Sequence, residues 1–164
     1  MEIGNWRLEV RPIDEGDREW VGRFLVERWG AAMVVSRGKA HHADRLPGFL
    51  AFQDRAPIGL ITYRIDGAEC EIVTLDSVRE GMGVGSALID AVKDAARRAG
   101  CTRLWLITTN DNLPALRFYQ KRGFSLVAVH RDAIEESRKL KPSISAIGID
   151  GIPIRDEIEL EMRL

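Results

Sequence analysis

The chain lacks the features that mark several large classes of protein. Its 164 residues include 24 basic and 25 acidic side chains, for a net charge of -1. Without a basic excess, binding to nucleic acid or to an anionic membrane is not expected. No apolar run approaches the roughly 18 residues of a membrane span, and no basic segment followed by a long apolar one opens the chain. Neither insertion in a membrane nor export is indicated.

Cysteine and histidine are also scarce. The two cysteines, Cys70 and Cys101, lie in apolar stretches, which predicts reduced core residues rather than a disulfide, and the cytoplasm as the compartment. The adjacent pair His41-His42 has no cysteine or acidic residue at ligand spacing, so no metal site is predicted. The length fits a single domain over residues 1–164, which can bury roughly 70% of the surface of the unfolded chain.

Hydrophobic periodicity and turn signals predict the order of the elements. Helices are expected from Asp14 or Asp17 to Trp29 and over 84–99, 112–122 and 132–141. Strands are expected over 6–11, 34–35, 49–52, 58–65, 69–75, 103–109, 124–130 and 154–164. The apolar 103–109 segment is interpreted as a strand buried on both faces, with Trp105 in the core. Residues 36–47 are interpreted as a long polar connection of the kind that often carries function. This order predicts a mixed α/β domain.

The segment 75–99 is the most informative part of the sequence. A strand meets a turn with glycines at 81, 83 and 85 and passes into an amphipathic helix that ends at Gly100. Such a turn presents unpaired N–H groups at a helix N-terminus, which suits a phosphate or pyrophosphate. A dinucleotide fingerprint requires glycine or alanine where Leu88 stands, and a nucleoside-triphosphate loop requires lysine where Ser86 stands. The alternative is a tight turn whose glycines serve packing alone.

Two motifs resemble those of the GNAT acetyltransferase superfamily. The segment 80–85 (EGMGVG) is similar to the acetyl-coenzyme A signature Q/R-x-x-G-x-G/A, although Glu80 replaces the usual Gln or Arg. Downstream, Asn112, Ala115 and Tyr119, followed by Gly123-Phe124, are similar to the family's N-x-x-A-x-x-x-Y-x-x-x-G-F segment. The resemblance covers about residues 7 to 130.

The resemblance implies a mixed, mostly antiparallel central sheet with helices on both faces. It also implies that the glycine turn follows the fourth strand, and that the fourth and fifth strands separate to hold coenzyme A. The implied function is transfer of an acetyl group from acetyl-CoA to an amine by direct attack in a ternary complex. The alternative is a non-catalytic module that binds coenzyme A or an acyl form. The identity of the amine and the choice between monomer and homodimer stay open.

The resemblance also assigns a set of residues to the cofactor. These are Leu75, Ser77, Val78, Glu80, Gly81, Met82, Gly83, Val84, Gly85, Ser86 and Asn112. A helix cap is by itself a sufficient explanation of Asn112. Backbone N–H groups near residues 75–77 are expected to stabilise the oxyanion.

Three side chains are candidates for catalysis. Glu69 and Glu71 leave the same face of one strand, and either carboxylate can act as the base that deprotonates the acceptor amine. The alternative for both is an exposed strand face. Tyr119 lies where the family's motif has the tyrosine that protonates the departing thiolate; the alternative is an aromatic packing residue. Acceptor specificity is predicted to lie in residues 36–46 and 131–153, with His41, His42 and Arg138 as pocket residues.

Overall fold

A computed structural model of the protein describes residues 7–79 and 81–164. Trp6 of the first expected strand and Glu80 of the turn therefore lie outside the described residues. The helices are α1 (Arg18–Trp29), α2 (Val84–Arg98), α3 (Leu113–Lys121) and α4 (Ala133–Leu140). The strands are β1 (Leu8–Pro12), β2 (Met33–Ser36), β3 (Lys39–His42), β4 (Gly48–Gln53), β5 (Ala56–Asp66), β6 (Glu69–Ser77), β7 (Arg103–Thr109), β8 (Ser125–His130) and β9 (Glu157–Arg163).

Seven strands form one sheet in the order β1-β4-β5-β6-β7-β9-β8, and β2 and β3 form a separate ribbon. Neighbours in the large sheet are antiparallel except β6 and β7, which are parallel. The glycine turn follows β6, the fourth strand of this sheet in chain order. The expected fold class, a mixed α/β domain with a mostly antiparallel central sheet, is confirmed.

Each face of the sheet is covered by helices. Leu60 and Ile61 are consecutive residues of β5 and both are fully buried, yet they belong to different core clusters. Leu60 packs with residues of α1, and Ile61 packs with residues of α2, because successive side chains of a strand point to opposite faces. Both cysteines are free, buried thiols in the α2 cluster, as expected.

Two expectations about local structure are wrong. Residues 36–47 are not an irregular connection, because β2 and β3 pair through a two-residue turn at Arg37-Gly38 and a short 3-10 helix follows at Ala43–Arg45. Both turn residues have positive φ, 48° and 73°, which suits the twist of a hairpin although arginine rarely signals it. Trp105 is only half-buried and lies under the Arg103 guanidinium. The burial of β7 alternates, so this strand is not covered on both faces.

None of the helices in the described part of the chain is long and apolar enough to cross a membrane.

Candidate active site

β6 and β7 run together over only part of their lengths. Pairing joins Glu69–Ile72 to Arg103–Leu106. Beyond this segment β6 continues to Ser77 and β7 continues to Thr109 without pairing with each other. The parallel pair therefore separates at its carboxyl end, as the resemblance implies. A gap of this kind leaves one edge of β6 free to bond an extended ligand.

A bulge in β6 marks the point of separation. Tyr63 and Thr62 are consecutive on β5 and pair with Ile72 and Thr74 of β6. Val73 is therefore an extra residue of β6 between these two pairs. Bulges bend a strand and re-aim its backbone groups, and they are frequent beside active sites.

A cleft of about 460 Å³ opens beside the first turn of α2, and we call it the α2 cleft. Its walls are the end of β6, the glycine turn, α3 and the end of α1. The lining residues are Arg28, Leu75, Asp76, Ser77, Arg79, Gly81, Gly83, Val84, Gly85, Pro114, Ala115, Arg117, Phe118, Tyr119 and Arg122.

The glycine turn has the geometry of an anion site. Gly83 is the N-cap of α2 with a φ of 74°, in the left-handed region. The first helical bond runs from Ala87 N to Gly83 O at 3.0 Å, so the N–H groups of residues 84–86 have no helical acceptor. A Cβ at Gly81 or Gly83 would meet no protein atom within 4 Å. The turn therefore presents donors to open space, which is what a phosphate requires.

Gly85 has a different role from the two glycines before it. A Cβ at this position would lie 2.7 Å from Cζ of Phe118. Phe118 in turn carries the Arg122 guanidinium 3.5 Å from its ring centroid, and Arg122 Nε donates to Ser86 Oγ at 2.8 Å. The absence of a side chain at Gly85 thus lets α3 hold an arginine at the N-terminus of α2.

The described lining of the α2 cleft carries an excess of positive charge. Within residues 7–79 and 81–164, Arg28, Arg79, Arg117 and Arg122 line it, against the single carboxylate of Asp76. Arginine binds phosphate oxygens through several donors at once, so this lining suits a ligand with more than one phosphate.

Tyr119 is buried at the inner end of the α2 cleft. Phe118 and Phe124 contact its ring edge-on, with centroids 5.1 and 5.5 Å away. Burial, with a smaller contribution from the Asp76 carboxylate, raises the pKa of Tyr119. The phenol is therefore protonated at neutral pH, which is the state that a proton donor requires.

Asp76 is a member of the cleft that sequence reasoning missed. Trp29 Nε1 donates to its Oδ2, and Arg28 Nε lies 3.7 Å from its Oδ1. Burial raises the pKa of Asp76 even though both partners act in the opposite direction. These contacts fix the end of α1 against β6. No motif marked this residue, because its partners lie 47 residues or more away in the sequence.

A second cavity of about 380 Å³ lies on the α1 side of the sheet and is covered by α4. We call it the α4 cavity. β6 and β7 form part of its wall on either side of the gap. Its apolar lining comprises Trp29, Val34, Val35, Ile72, Val73, Ile107, Ile134, Ile144 and Ile154, and its polar lining comprises Ser36, Glu71, Thr108, Thr109, Asn112, Ser137, Lys141, Ser143, Ser145 and Glu157.

Glu71 lines the α4 cavity, but other side chains occupy both of its oxygens. Ser36 Oγ donates to Oε2 at 2.6 Å, and Arg64 Nε donates to Oε1 at 3.0 Å. His41 Nε2 lies 3.1 Å from Ser36 Oγ. Because the single hydroxyl proton of Ser36 goes to Glu71, His41 is the donor in that bond. Glu71 therefore holds the β2–β3 ribbon to β6.

Glu157 is the second buried carboxylate of the α4 cavity, and sequence reasoning missed it. It is 2% exposed, and its oxygens accept from the backbone N–H of Arg37 at 3.2 and 3.3 Å. The Arg37 guanidinium lies 3.6 Å from Oε1. Burial raises the pKa of Glu157 despite these contacts. A carboxylate of raised pKa is a stronger base than an ordinary one.

Glu69, His41 and His42 do not line the α4 cavity. Glu69 is half-exposed and lies 3.5 Å from Arg103. Glu69 and buried His41 line a polar pocket of about 310 Å³ beside the β2–β3 ribbon, whereas His42 is exposed. Within residues 7–79 and 81–164 no group of three or more His, Cys, Asp or Glu side chains is arranged to hold a metal ion.

The residues assigned to the cofactor from sequence divide into two groups. Those that line the α2 cleft are Leu75, Ser77, Gly81, Gly83, Val84 and Gly85. Val78 and Met82 do not line it, Ser86 faces Arg122, and Asn112 lines the α4 cavity. Asn112 also caps α3, because its Oδ1 accepts from Ala115 N at 3.2 Å.

Arg138, which was expected to shape the acceptor pocket, does not line the α4 cavity. It donates to the carbonyl oxygens of Ser145 and Ile154.

Solved structures share this fold. An IAA acetyltransferase from Bacillus cereus superposes with a TM-score of 0.73 at 23% identity, covering 96% of this chain and 100% of that one. A GNAT family acetyltransferase from Elizabethkingia anophelis, with acetyl-CoA bound, superposes with a TM-score of 0.69 at 20% identity, covering 96% and 98%.

Sequence comparison reaches the same family. The uncharacterized Bacillus subtilis protein YdhI is 43% identical over 91% of this chain and 94% of its own length, and YxbD of the same organism is 38% identical over 96% and 99%. The model of the acetyltransferase (GNAT) family matches residues 15–124. This chain therefore belongs to the GNAT family of acetyltransferases.

Proposed function

We propose that the protein transfers the acetyl group of acetyl-CoA to the primary amine of a small-molecule acceptor, by direct attack in a ternary complex. One observation carries the proposal: the gap between β6 and β7 is flanked by a positively charged cleft that contains Tyr119 and by a cavity that contains Glu157. The bound acetyl-CoA of the E. anophelis structure supports the choice of donor.

The α2 cleft suits the phosphates and the extended arm of acetyl-CoA. The free N–H groups of residues 84–86 and the guanidinium of Arg122 supply donors for the pyrophosphate. The unpaired edge of β6 near Leu75 and Ser77 supplies backbone groups for the amide-containing arm.

The acceptor amine must lose a proton before it can attack, since an alkyl ammonium has a pKa of about 10. Glu157 takes this proton, because burial raises its pKa. Its side-chain salt bridge to Arg37, at 3.6 Å, is also longer than the 3.0 Å bridge between Glu71 and Arg64. The amine nitrogen then bonds the acetyl carbon, the carbon–sulfur bond breaks, and the nitrogen releases its second proton to water. Tyr119 gives its proton to the departing thiolate and is re-protonated from water.

The two tyrosines of the chain provide a matched test. Tyr119→Phe keeps the ring between Phe118 and Phe124 but removes the proton, so kcat should fall roughly 10- to 1000-fold while the Kd for acetyl-CoA stays unchanged. Tyr63→Phe, on a half-buried ring stacked on Phe49, should leave both constants unchanged. Steady-state kinetics and calorimetry measure the two quantities.

Full activity of Tyr119→Phe would show that Tyr119 is a packing residue. Binding of acetyl-CoA without turnover of any amine would instead favour a non-catalytic module that senses coenzyme A.

We also propose that residues 1–164 act as one domain in the cytoplasm. The free thiols of Cys70 and Cys101 support a reducing compartment. Mass spectrometry of the protein alkylated in cells, which labels thiols but not disulfides, tests the assignment.

A further inference from the structure

The α4 cavity has opposite charges at its two ends. β2 forms one wall, with Glu71 bonded to Ser36 and Glu157 bonded to Arg37 at its carboxyl end. Lys141 lies at the other end, where its Nζ donates to Met33 O at 3.0 Å. Since a strand rises about 3.3 Å per residue, the two ends of β2 are roughly 10 Å apart.

The Lys141 ammonium has N–H donors that can bind a negatively charged group. No carboxylate of the described residues lies within 4.0 Å of its ammonium, and two of its three N–H donors remain after the bond to Met33. Burial lowers its pKa. A partly buried charge without a counter-ion is costly. An anionic ligand group at this end of the cavity would therefore be bound favourably.

Ser137 supplies a second, independent sign of a ligand. It lies on α4 one turn before Lys141 and lines the same cavity. It is 1% exposed, and its Oγ is the one buried side-chain polar atom of the described residues that has no hydrogen-bond partner. A serine within a helix can bond the carbonyl four residues back, but Ser137 makes no such bond. Its hydroxyl is therefore available to a ligand oxygen.

The wall behind α4 is fixed in place. Asp111 Oδ2 accepts from Ile149 N at 3.0 Å, and Asn110 Nδ2 donates to Pro153 O at 2.9 Å. Arg138 donates to Ser145 O at 2.9 Å and to Ile154 O at 3.0 Å. Arg138, which lies between Ser137 and Lys141 in the sequence, thus holds this loop to α4, and preformed sites bind with a smaller entropic cost.

We infer that the acceptor is a small amino acid, with its amine toward Glu71 and Glu157, its carboxylate on Ser137 and Lys141, and an apolar spacer between them. This inference rests on the proposed function and specifies its acceptor. The apolar middle of the cavity, including Val34, Ile107 and Ile134, matches such a spacer. Charge-assisted bonds from Lys141 and Ser137 bind a carboxylate and leave a plain alkylamine unrecognised.

The test compares matched pairs of acceptors with acetyl-CoA as donor. ω-Amino acids of increasing length, such as 4-aminobutanoate, are each paired with the alkylamine that lacks the carboxylate. For the best pair, wild-type kcat/KM should favour the amino acid about tenfold or more. Lys141→Met should reduce this ratio to about one, and Ser137→Ala should reduce it in part. Lys139→Met, an exposed lysine of α4 paired with Glu136, should leave the ratio unchanged.

Equal turnover of alkylamines and amino acids overturns the inference and leaves the proposed function intact. The same conclusion follows if Lys141→Met does not change the ratio of kcat/KM between amino acid and alkylamine. If no amine of the panel is acetylated, the proposed function fails, and the same pairs are compared by thermal shift in the presence of coenzyme A. Greater stabilisation by the amino acid, lost in Lys141→Met, would then support recognition of its carboxylate at Ser137 and Lys141; equal stabilisation would overturn it.

Discussion

At the scale of single residues, Glu157 is the side chain whose environment departs most from what its sequence position suggests. Burial raises its pKa above that of an exposed glutamate. For a carboxyl group, a raised folded-state pKa means that the folded protein holds the proton more tightly than the unfolded chain does. Its contribution to stability is therefore greatest at low pH and is lost as pH rises through the folded-state pKa.

Glu157→Gln should separate activity from stability. At about pH 7 the variant should lose roughly 100-fold or more in kcat, because the base is gone. The loss should shrink as the pH approaches the pKa of the amine, about 10. Its free energy of unfolding near neutral pH should be at least that of wild type, because a buried charge is removed while the amide oxygen still accepts from Arg37. pH–rate profiles and urea titrations measure the two effects.

Glu71→Gln is the comparison for this prediction. It leaves Arg64 without the carboxylate 3.0 Å away, so it should lower the free energy of unfolding by about 1 to 3 kcal/mol. Its effect on kcat, measured where the variant is fully folded, should be smaller than that of Glu157→Gln. The reverse order of catalytic effects would return the role of base to Glu71.

Tyr119 and Glu157 show what the sequence predicts about single residues. Tyr119 stands in a motif of fixed spacing with Asn112 and Gly123, so its place in the cleft was predictable. Glu157, Glu159 and Glu161 occupy every second position of β9, and such a pattern is typical of a strand with one face toward solvent. Its burial depends on the Arg37 turn 120 residues away, and periodicity carries no information about such a contact.

At the scale of elements, the proposed function makes cofactor binding depend on the turn before α2. Gly83 and Gly100 flank the same helix, both have positive φ, and a Cβ at either would meet no protein atom within 4 Å. Alanine at either position should cost a similar, roughly 1–2 kcal/mol strain. Only Gly83→Ala places a methyl group where the phosphate must approach, so it alone should weaken acetyl-CoA binding, by about tenfold or more. Calorimetry measures the affinity of both variants for acetyl-CoA. Equal affinities would show that the pyrophosphate does not bind at this turn.

Elements with strong local signals were predictable, and those that depend on tertiary contacts were not. The apolar spacing of α2 and its glycine boundaries predict the helix almost to its ends. The strand at 34–35 was expected, but its partner β3 was missed because an arginine occupies a left-handed turn position, where asparagine or glycine is the usual signal. The half-exposed face of β7 was missed because the continuous apolar run 104–107 resembles a strand covered on both sides.

At the scale of the whole molecule, a net charge of -1 conceals a separation of charge. Four arginines surround the α2 cleft, whereas two buried glutamates border the α4 cavity on the other side of the β6–β7 gap. Composition argues against a general affinity for polyanions and does not predict a local site for phosphate. In the proposed function, this separation places an anionic donor and a cationic amine on opposite sides of one gap.

The most direct test of acetyl transfer is the release of coenzyme A thiol from acetyl-CoA, measured with and without an amine, together with the mass of the amine product. Thiol release should depend on the amine and equal the amount of N-acetylated product, at a rate well above that without enzyme. Tight binding of acetyl-CoA with no thiol released above the amine-free rate, across a broad panel of amines, would contradict acetyl transfer.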